Sequence, residues 1–157
     1  MDNEIIKNYS KLNIENVSRE TIEDFEFFIS MILEKNKKIN LISREKQELS
    51  YIRERHIIDS AQAIEFVDLN SNTTSDLGTG GGMPGIVIAI IMKTLKKEMK
   101  FNFYEKSHHK SFFLREVSRK LNLGTEVIQK DIFETNKLNS GTTVSYTHLT
   151  LPTKRIV

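Results

Sequence analysis

The chain has 157 residues, of which 38% are hydrophobic and 28% are charged, so its length and composition suit one ordinary domain with a core of its own. Its 23 basic residues nearly balance 21 acidic ones, and a net charge of +2 does not by itself indicate a nucleic-acid partner. The absence of cysteine excludes disulfide scaffolds and thiolate metal sites, and no apolar run approaches membrane-spanning length. We therefore expect a cytoplasmic protein with no metal and no membrane segment.

The first part of the chain is predicted to be helical. Residues 1–17 are expected to form a loose leading helix. From Thr21 onward, apolar residues recur at helical spacing, and Thr21 with Asp24 resembles a capping box, which predicts an amphipathic helix. Met31 and the three phenylalanines of this helix are expected to lie in the core. The apolar positions are Ile22, Phe25, Phe28, Ile29, Ile32, Leu33 and Ile39.

Lysines are concentrated where this helix is expected to end, in the run Lys35-Asn36-Lys37-Lys38. They are either a solvated helix terminus, where cations suit the C-terminal dipole, or phosphate contacts for nucleic acid. On these residues alone the solvated terminus is favoured.

A second helix is predicted after a break at residues 40–43, with Ser43 as its N-cap. It contains Leu49, Ile52 and His56, and helical structure continues over residues 61–67 before a loop at residues 68–72. A histidine beside apolar residues is usually a core or capping residue, so His56 alone does not indicate a site.

Residues 76–85, Asp76-Leu77-Gly78-Thr79-Gly80-Gly81-Gly82-Met83-Pro84-Gly85, hold five of the seven glycines. They follow a short β-branched run and precede an apolar helical run, with Pro84 where the first turn of a helix tolerates it. Glycines cluster where backbone must approach something closely, and a helix N-terminus offers unpaired amides to an anionic group. This pattern predicts a ligand-binding turn between a strand and a helix.

Two ligand classes fit the turn. Gly80, Gly82 and Gly85 match the G-x-G-x-x-G spacing of dinucleotide sites. Asp76 argues against a pyrophosphate, because its carboxylate would repel phosphate but suits the ammonium group of S-adenosylmethionine. The spacing of Asp76, Gly78, Gly80 and Gly82 resembles the first motif of Rossmann-like methyltransferases. A purely structural glycine turn is the third interpretation. The cofactor-binding candidates in this turn are Asp76, Gly78, Thr79, Gly80, Gly82, Pro84 and Gly85.

A second strand is predicted at residues 101–105, after a lysine-rich connection at residues 93–100. Glu105 ends it, about one strand beyond the glycine turn, where an acid can accept hydrogen bonds from both ribose hydroxyls. The structural alternative is a carboxylate paired with Lys106 or Lys110. We count Glu105 and Lys106 among the cofactor-binding candidates.

The last predicted elements are a helix capped by Ser107 and ended by Gly124, and a third strand at residues 125–130. Asp131 and Ile132 follow that strand, where an adenine would reach across from the ribose. Asp131 is either an acceptor for the adenine amino group or a helix cap, and these alternatives stay open.

Strand and helix alternate through this part of the chain, which indicates an α/β fold with a parallel sheet. Ligands bind at the carboxyl ends of such strands, where Asp76, Glu105 and Asp131 all fall. We expect a helical segment at residues 1–70, a partial S-adenosylmethionine-binding domain at residues 71–139, and a non-native tail at residues 140–157.

Several of these motifs together resemble the RsmG family, also called GidB or glucose-inhibited division protein B. The likeness covers residues 22–134. The residues that carry it are Asn40-Leu41, Arg55-His56-Ile57-Ile58-Asp59-Ser60, residues 76–85 as written above, Glu105-Lys106-Ser107, Lys110 and Phe113-Leu114.

The resemblance implies a Rossmann-like class I methyltransferase that transfers a methyl group from S-adenosylmethionine to N7 of a guanine in 16S rRNA, either free or in the small ribosomal subunit. It implies that His56, Asp59 and Ser60 lie near the donor site, and it makes Lys37, Lys38 and Asn40 candidates for RNA contact. Guanine N7 has a free lone pair, so methyl transfer needs positioning rather than a general base, and no catalytic side chain is expected. The full-length protein is expected to be a monomer. The remaining alternatives are an NAD-dependent oxidoreductase and a non-catalytic RNA-binding module.

The end of the sequence departs from the family pattern. Residues 144–157 fit no expected family segment, and Val144–Leu149 can be encoded by GTC TCT TAT ACA CAT CT, a transposon end used in sequencing adapters. We therefore expect only the first three parallel strands, with the first strand unpaired on one edge and the apolar helix after the glycine turn partly uncovered. Such a chain would bind the donor weakly and would not methylate RNA.

Overall fold

A computed structural model describes residues 5, 9, 10, 12, 17–45, 47–95, 98–132 and 143–146. The leading helix expected at residues 1–17 and most of the expected tail, including residues 147–157, lie outside these described residues. The helices are α1 (Arg19–Asn36), α2 (Leu49–Ile52), a π-helix (Arg53–Ile58), α3 (Asp59–Ala61), a 3₁₀-helix (Gln62–Phe66), α4 (Gly85–Thr94) and α5 (His108–Lys120). The strands are β1 (Thr73–Leu77), β2 (Lys100–Tyr104), β3 (Thr125–Ile128) and β4 (Thr143–Tyr146).

The strands form one parallel sheet in the order β3-β2-β1-β4. β1 and β2 are in register from Thr73 opposite Lys100 to Leu77 opposite Tyr104. The predicted α/β fold is therefore confirmed. Because all strands run the same way, the residues that follow β1, β2 and β3 meet at one edge of the sheet.

A fourth strand corrects the expectation of three. β4 pairs with β1 from Thr74 opposite Thr143 to Leu77 opposite Tyr146, so the edge of β1 that was expected to be unpaired carries a strand. α4 is not left uncovered either, since residues 85–92 are all buried. Both expectations failed because the segment assigned to the tail contains a short β-branched run, Thr142-Thr143-Val144, that suits a strand.

α1 begins one turn earlier than the capping box predicted. Ser18 is its N-cap, and the Ser18 hydroxyl accepts a hydrogen bond from the Thr21 amide at 3.1 Å. Asp24 instead accepts a bond from Lys93 of α4 at 2.9 Å. Phe25 and Phe28 are fully buried, whereas Phe27, expected in the core, is 42% exposed.

The second helical segment is less regular than predicted. It starts at Leu49 rather than after Ser43, and its N-cap, Glu48, makes no side-chain capping bond. The hydrogen bonding then changes to π type over Arg53–Ile58 and to 3₁₀ type over Gln62–Phe66. Ile52 and Ile57 are fully buried, whereas no residue of the 3₁₀-helix is buried and Phe66 is 80% exposed.

α4 and α5 cover the sheet and pack against α1. Lys93, predicted to open a loop, is still within α4, and Lys100 already belongs to β2. α5 begins after the predicted cap Ser107, whose hydroxyl accepts from the Lys110 amide. It ends at Lys120, and Asn122, with φ of 52°, makes the left-handed turn that was assigned to Gly124. Asparagine tolerates this conformation better than most residues do.

Candidate functional site

The glycine turn is anchored to the end of β2 by one carbonyl group. The amides of Gly78 and Thr79 both donate to the Tyr104 carbonyl, at 2.8 and 3.0 Å. The Thr79 hydroxyl donates to the Asp76 carbonyl at 2.9 Å. These bonds bring the end of β1 and the end of β2 together at one edge of the sheet.

The glycines of the turn have different physical roles. Gly78, Gly80 and Gly82 have φ values of 73°, 58° and 97°, a region that side chains with a Cβ rarely adopt. A Cβ at Gly82 would lie 2.8 Å from Ile86 and 3.0 Å from Phe28, so helix α1 backs this side of the turn. A Cβ at Gly80 would have only the Gly78 carbonyl nearby, at 3.6 Å. Gly80 therefore faces open space.

Asp76, at the end of β1, is buried and hydrogen-bonded to the first residue of α4. Its side chain is 2% exposed, and Oδ2 accepts a hydrogen bond from the Gly85 amide at 3.0 Å. A Cβ at Gly85 would overlap this oxygen, which explains why glycine occupies the first position of α4. The Asp76 carboxylate lies at the N-terminus of α4, where the helix dipole favours a negative charge. Its contact with a ligand ammonium group stays a prediction.

Glu105 links β2 to the glycine turn. Its Oε2 accepts from the Gly80 amide at 2.9 Å and its Oε1 accepts from the Ser107 amide at 2.8 Å. The Glu105 carbonyl in turn accepts from the hydroxyl of Ser111, a fully buried residue of α5. Both carboxylate oxygens of Glu105 therefore accept from backbone amides, and the carboxylate is not paired with Lys106 or Lys110.

A pocket of about 110 Å³ opens beside Glu105 at the carboxyl edge of the sheet. It brings together five of the predicted cofactor-binding residues from three segments of the chain. Its lining residues are Gly78, Tyr104, Glu105, Lys106, Lys130, Asp131 and Ile132. Its volume is below the roughly 300–1,000 Å³ of a typical small-molecule site, so it suits one part of a larger ligand.

Asp131 and Lys106 face each other across this pocket. Lys106 Nζ lies 3.8 Å from Asp131 Oδ2, and the lysine side chain is 74% exposed. Whether Asp131 caps a following helix concerns residues 133–142, which lie outside the described residues. The carboxylate and Ile132 give this end of the pocket one acceptor and one apolar contact.

The candidate RNA residues lie directly after the end of α1. Lys37, Lys38 and Asn40 are all exposed. Asn36, just before them, is 1% exposed and fixes the segment through its side-chain amide. The carbonyl of Leu41 would lie 3.0 Å from a Cβ on Gly81, so this segment is in contact with the turn.

The block implied by the resemblance lies in the irregular helical segment. His56 is within the π-helix and packs edge-on against Tyr51 with ring centroids 5.9 Å apart. Asp59 is exposed and lies 3.7 Å from Arg55, and Ser60 is half-buried in α3. π-type hydrogen bonding within helices occurs frequently at functional sites. The roles of His56, Asp59 and Ser60 stay predictions.

Sequence reasoning missed three residues that shape the site, namely Tyr104, Ser111 and Asn36. Asn36 had a usable signal, since it is a polar residue on the apolar face of α1, one turn beyond Ile32. Tyr104 contributes through its carbonyl, which the residue type does not reveal. Among the described residues, no group of three metal-ligating side chains is close enough to hold an ion, and no helix could span a membrane.

The family of the chain follows from its comparison with known proteins. The model of the family described as "GidB: rRNA small subunit methyltransferase G" matches residues 21–146. The chain belongs to the GidB family. The match runs through Tyr146, so residues 144–146, which were expected to fit no family segment, fall inside the family region.

Individual GidB proteins are similar over most of the chain. A ribosomal RNA small subunit methyltransferase G of Pelagibacter ubique is 58% identical over 149 residues, which are 95% of this chain and 70% of that protein. Proteins of the same name are 37% identical in Ruegeria pomeroyi and 44% identical in Bartonella henselae, over 82% and 81% of this chain. The chain spans 61% and 58% of those two relatives.

A solved structure supports the fold at a more distant level. It is a Plasmodium falciparum protein described as a protein-L-isoaspartate O-methyltransferase, in complex with S-adenosyl-L-homocysteine. The TM-score is 0.50 with 16% identity, and the match covers 85% of this chain and 65% of that one. This likeness concerns the fold, which is that of a class I methyltransferase.

Proposed function

We propose that the pocket beside Glu105 binds the nucleoside of S-adenosylmethionine. The observation that carries this proposal is the Glu105 carboxylate, which is 8% exposed and held in place by two backbone amides. An ionised carboxylate has about four acceptor positions, so two remain for the two ribose hydroxyls. Asp131 and Ile132 then lie at the end of the pocket that the adenine would occupy.

The position of Asp76 favours this donor over a dinucleotide. A pyrophosphate in a G-x-G-x-x-G site rests on the helix N-terminus and needs its free amides. At α4 the Gly85 amide is already bonded to the Asp76 carboxylate, which would also repel phosphate. S-adenosylmethionine has no phosphate and carries an ammonium group, so it avoids this conflict.

We further propose that the whole protein methylates N7 of a guanine in 16S rRNA, in the cytoplasm and as a monomer. Membership of the GidB family supports the substrate class. The acceptor nitrogen carries its own lone pair, so the protein has to align it with the donor methyl and exclude water, and no acid or base residue is assigned. On this proposal Gly78, Thr79, Gly80, Gly82, Pro84 and Gly85 shape the donor turn.

Mapping the 16S rRNA of a strain without the gene tests this proposal. Mass spectrometry of rRNA fragments should find one guanine that lacks a methyl group, and the intact gene should restore it. Unchanged rRNA methylation in the deletion strain would refute the proposed reaction.

A Gly80→Arg variant connects that reaction to the donor turn. A side chain at Gly80 has open space before it, so arginine should block the donor. Because the φ of 58° at Gly80 strains any residue with a Cβ, urea unfolding of the purified variant checks that it is folded. We expect the variant gene to leave the guanine unmethylated while the purified variant still binds rRNA. Restored methylation would show that the donor does not use this turn.

A further inference from the structure

We infer that residues 37–44, called here the basic loop, bind the phosphate backbone of the rRNA, and that Asn36 is the positioning residue that seats this loop on the donor turn. The inference rests on the proposed function and adds the contact surface for its substrate. The residue types alone favoured a solvated helix end.

The loop has a built shape. Asn36 Oδ1 accepts from the amides of Leu41 and Ile42 at 2.8 and 3.0 Å, and its Nδ2 donates to the Ile42 carbonyl at 3.1 Å. With the side chain 1% exposed, these three bonds are shielded from water, where their loss would leave buried polar groups unpaired. The buried Asn36 amide therefore ties the end of α1 to residues 41 and 42 of the basic loop, in addition to the backbone bond from the Leu41 amide to the Ile39 carbonyl.

The charges on the loop are available to a ligand. Lys37, Lys38 and Arg44 are exposed, and none of them has an ion-pair partner among the residues that the structure describes. Lys35, one turn earlier, differs because it lies 3.9 Å from Glu116 and over the ring of Phe112. Residues 35–45 contain four basic side chains and one acidic one, Glu45, which is a local excess of positive charge in a nearly neutral chain.

The loop is also seated against the donor turn. The Leu41 carbonyl is so close to Gly81 that a Cβ there would lie 3.0 Å from it. Glycine at this position lets two backbones meet directly. A phosphate bound by Lys37 or Lys38 would thus lie at a fixed position relative to the donor, which is the condition for in-line methyl transfer.

The first test measures how salt affects rRNA binding. We compare the double variant Lys37→Gln/Lys38→Gln with the matched double variant Lys100→Gln/Arg119→Gln, whose residues are also exposed and basic. Each lost phosphate contact lowers the slope of log affinity against log salt by about 0.7 to 0.9. We expect the loop variant to bind a 16S rRNA transcript several-fold more weakly with a slope reduced by about 1.5, and the control to bind as the original chain does. Equal slopes in both variants would overturn the inference.

The second test separates positioning by Asn36 from simple stabilisation. In a double-mutant cycle, Asn36→Ser is combined with Lys37→Gln/Lys38→Gln, and rRNA affinity is measured below the unfolding temperature of every variant. If Asn36 acts through the lysines, its effect should largely disappear once they are removed. Additive losses would overturn the positioning role.

A Gly81→Ala variant perturbs the same contact from the other side. Its methyl group would push the Leu41 carbonyl by a few tenths of an ångström, so we expect weaker rRNA binding that again depends on Lys37 and Lys38. Unchanged rRNA binding with a folded variant would contradict the seating of the loop. Donor binding is measured in parallel. If the original chain does not bind the donor but the loop variants lose rRNA binding, the proposed function is refuted and this inference is not. If the original chain binds the donor but the loop variants bind rRNA as it does, this inference is refuted and the proposed function is not.

Discussion

Gly85 has no room for a methyl group, because a Cβ there would overlap Asp76 Oδ2 and lie 2.8 Å from the ring of Phe103. We expect Gly85→Ala to lower the free energy of unfolding by about 1–3 kcal/mol, the usual cost of overpacking a core. Gly124→Ala is the matched control, since its Cβ would meet only the Met99 carbonyl at 3.7 Å. Urea unfolding of both variants measures the difference, and equal stabilities would contradict the packing described here.

The charge of the Glu105 carboxylate is expected to contribute to donor binding. Glu105→Gln keeps the size of the side chain but removes its charge and replaces one acceptor oxygen by a donor. We expect the affinity for S-adenosylhomocysteine to fall by about tenfold to a hundredfold, since hydrogen bonds to charged groups contribute about 1.5–3 kcal/mol. Calorimetry measures it, and Glu126→Gln on the exposed side of β3 is the control. Unchanged affinity in Glu105→Gln would remove Glu105 from the donor site.

For single residues, the sequence predicted which residues lie at the site better than it predicted which groups their side chains contact. Glu105, Asp131 and Gly78 were assigned to one site from strand ends and glycine spacing, and they do line one pocket. Asp76 was predicted to meet the ammonium group of the donor, which stays a prediction, and the bond from the Gly85 amide to its carboxylate was not predicted. Spacing places a carboxylate at the end of a strand, whereas its rotamer depends on which unpaired amide lies within reach.

Ser18 and Ser43 both precede a helix, but only Ser18 makes a side-chain capping bond. Ser18, which was not predicted as a cap, caps α1, whereas Ser43, which was predicted as a cap, is exposed and precedes a helix that begins at Leu49. We expect Ser18→Ala to lower the free energy of unfolding by about 1 kcal/mol and Ser43→Ala to leave it nearly unchanged. Thermal and urea unfolding check this. A larger loss for Ser43→Ala would mean that residues 43–48 are organised differently.

An ion pair joins α1 to the π-helix. Glu26 accepts from Arg53 at 2.8 and 2.7 Å and from the Tyr9 hydroxyl at 2.6 Å. Burial of Glu26 opposes its ionisation, but the hydrogen bonds from Arg53 and Tyr9 outweigh burial and hold its pKa below the ordinary value of 4.5. A carboxyl whose pKa is lowered on folding stabilises the protein above its unfolded-state pKa and loses that contribution as the pH falls through the folded-state pKa.

Glu26→Gln should therefore destabilise the chain at neutral pH by about 1.5–3 kcal/mol and have progressively less effect as the pH falls below about 4.5. Urea unfolding of both proteins over this pH range measures the difference. The control is Glu23→Gln, whose pair with Arg19 is exposed on both sides and should contribute less than about 1 kcal/mol. A difference that does not depend on pH would contradict the assigned pKa.

The periodicity of apolar residues predicted which segments are helices and which are strands. It did not predict the type of helical hydrogen bonding or the residue at which a helix ends. The helical character of residues 49–66 was predicted, but the apolar spacing cannot distinguish α from π or 3₁₀ hydrogen bonding over single turns. Similarly, both Gly124 and Asn122 are able to end α5, and in the structure Asn122 makes the left-handed turn while the Leu123 amide donates back to the Ser118 carbonyl at 2.9 Å.

For the whole molecule, parallel topology accounts for most of the successful predictions, because it brings distant strand ends to one edge. The fourth strand was missed because residues 143–146 were judged by codon pattern and family fit rather than by their β-branched residues. The proposed division at residues 70 and 139 stays a prediction. The hypothesis that the native reading frame stops near Thr143 is tested by long-read sequencing of the source locus, which shows whether residues 144–157 are encoded by the native gene.

On the proposed function, the site formed by the glycine turn, Glu105 and Asp131 binds a methyl donor rather than a dinucleotide. Titration calorimetry of the 157-residue chain with S-adenosylhomocysteine and with NAD distinguishes the two ligands. We predict saturable binding of S-adenosylhomocysteine that Glu105→Gln weakens, and no binding of NAD. Binding of NAD that Gly80→Arg abolishes, together with no response to S-adenosylhomocysteine, would contradict the claim.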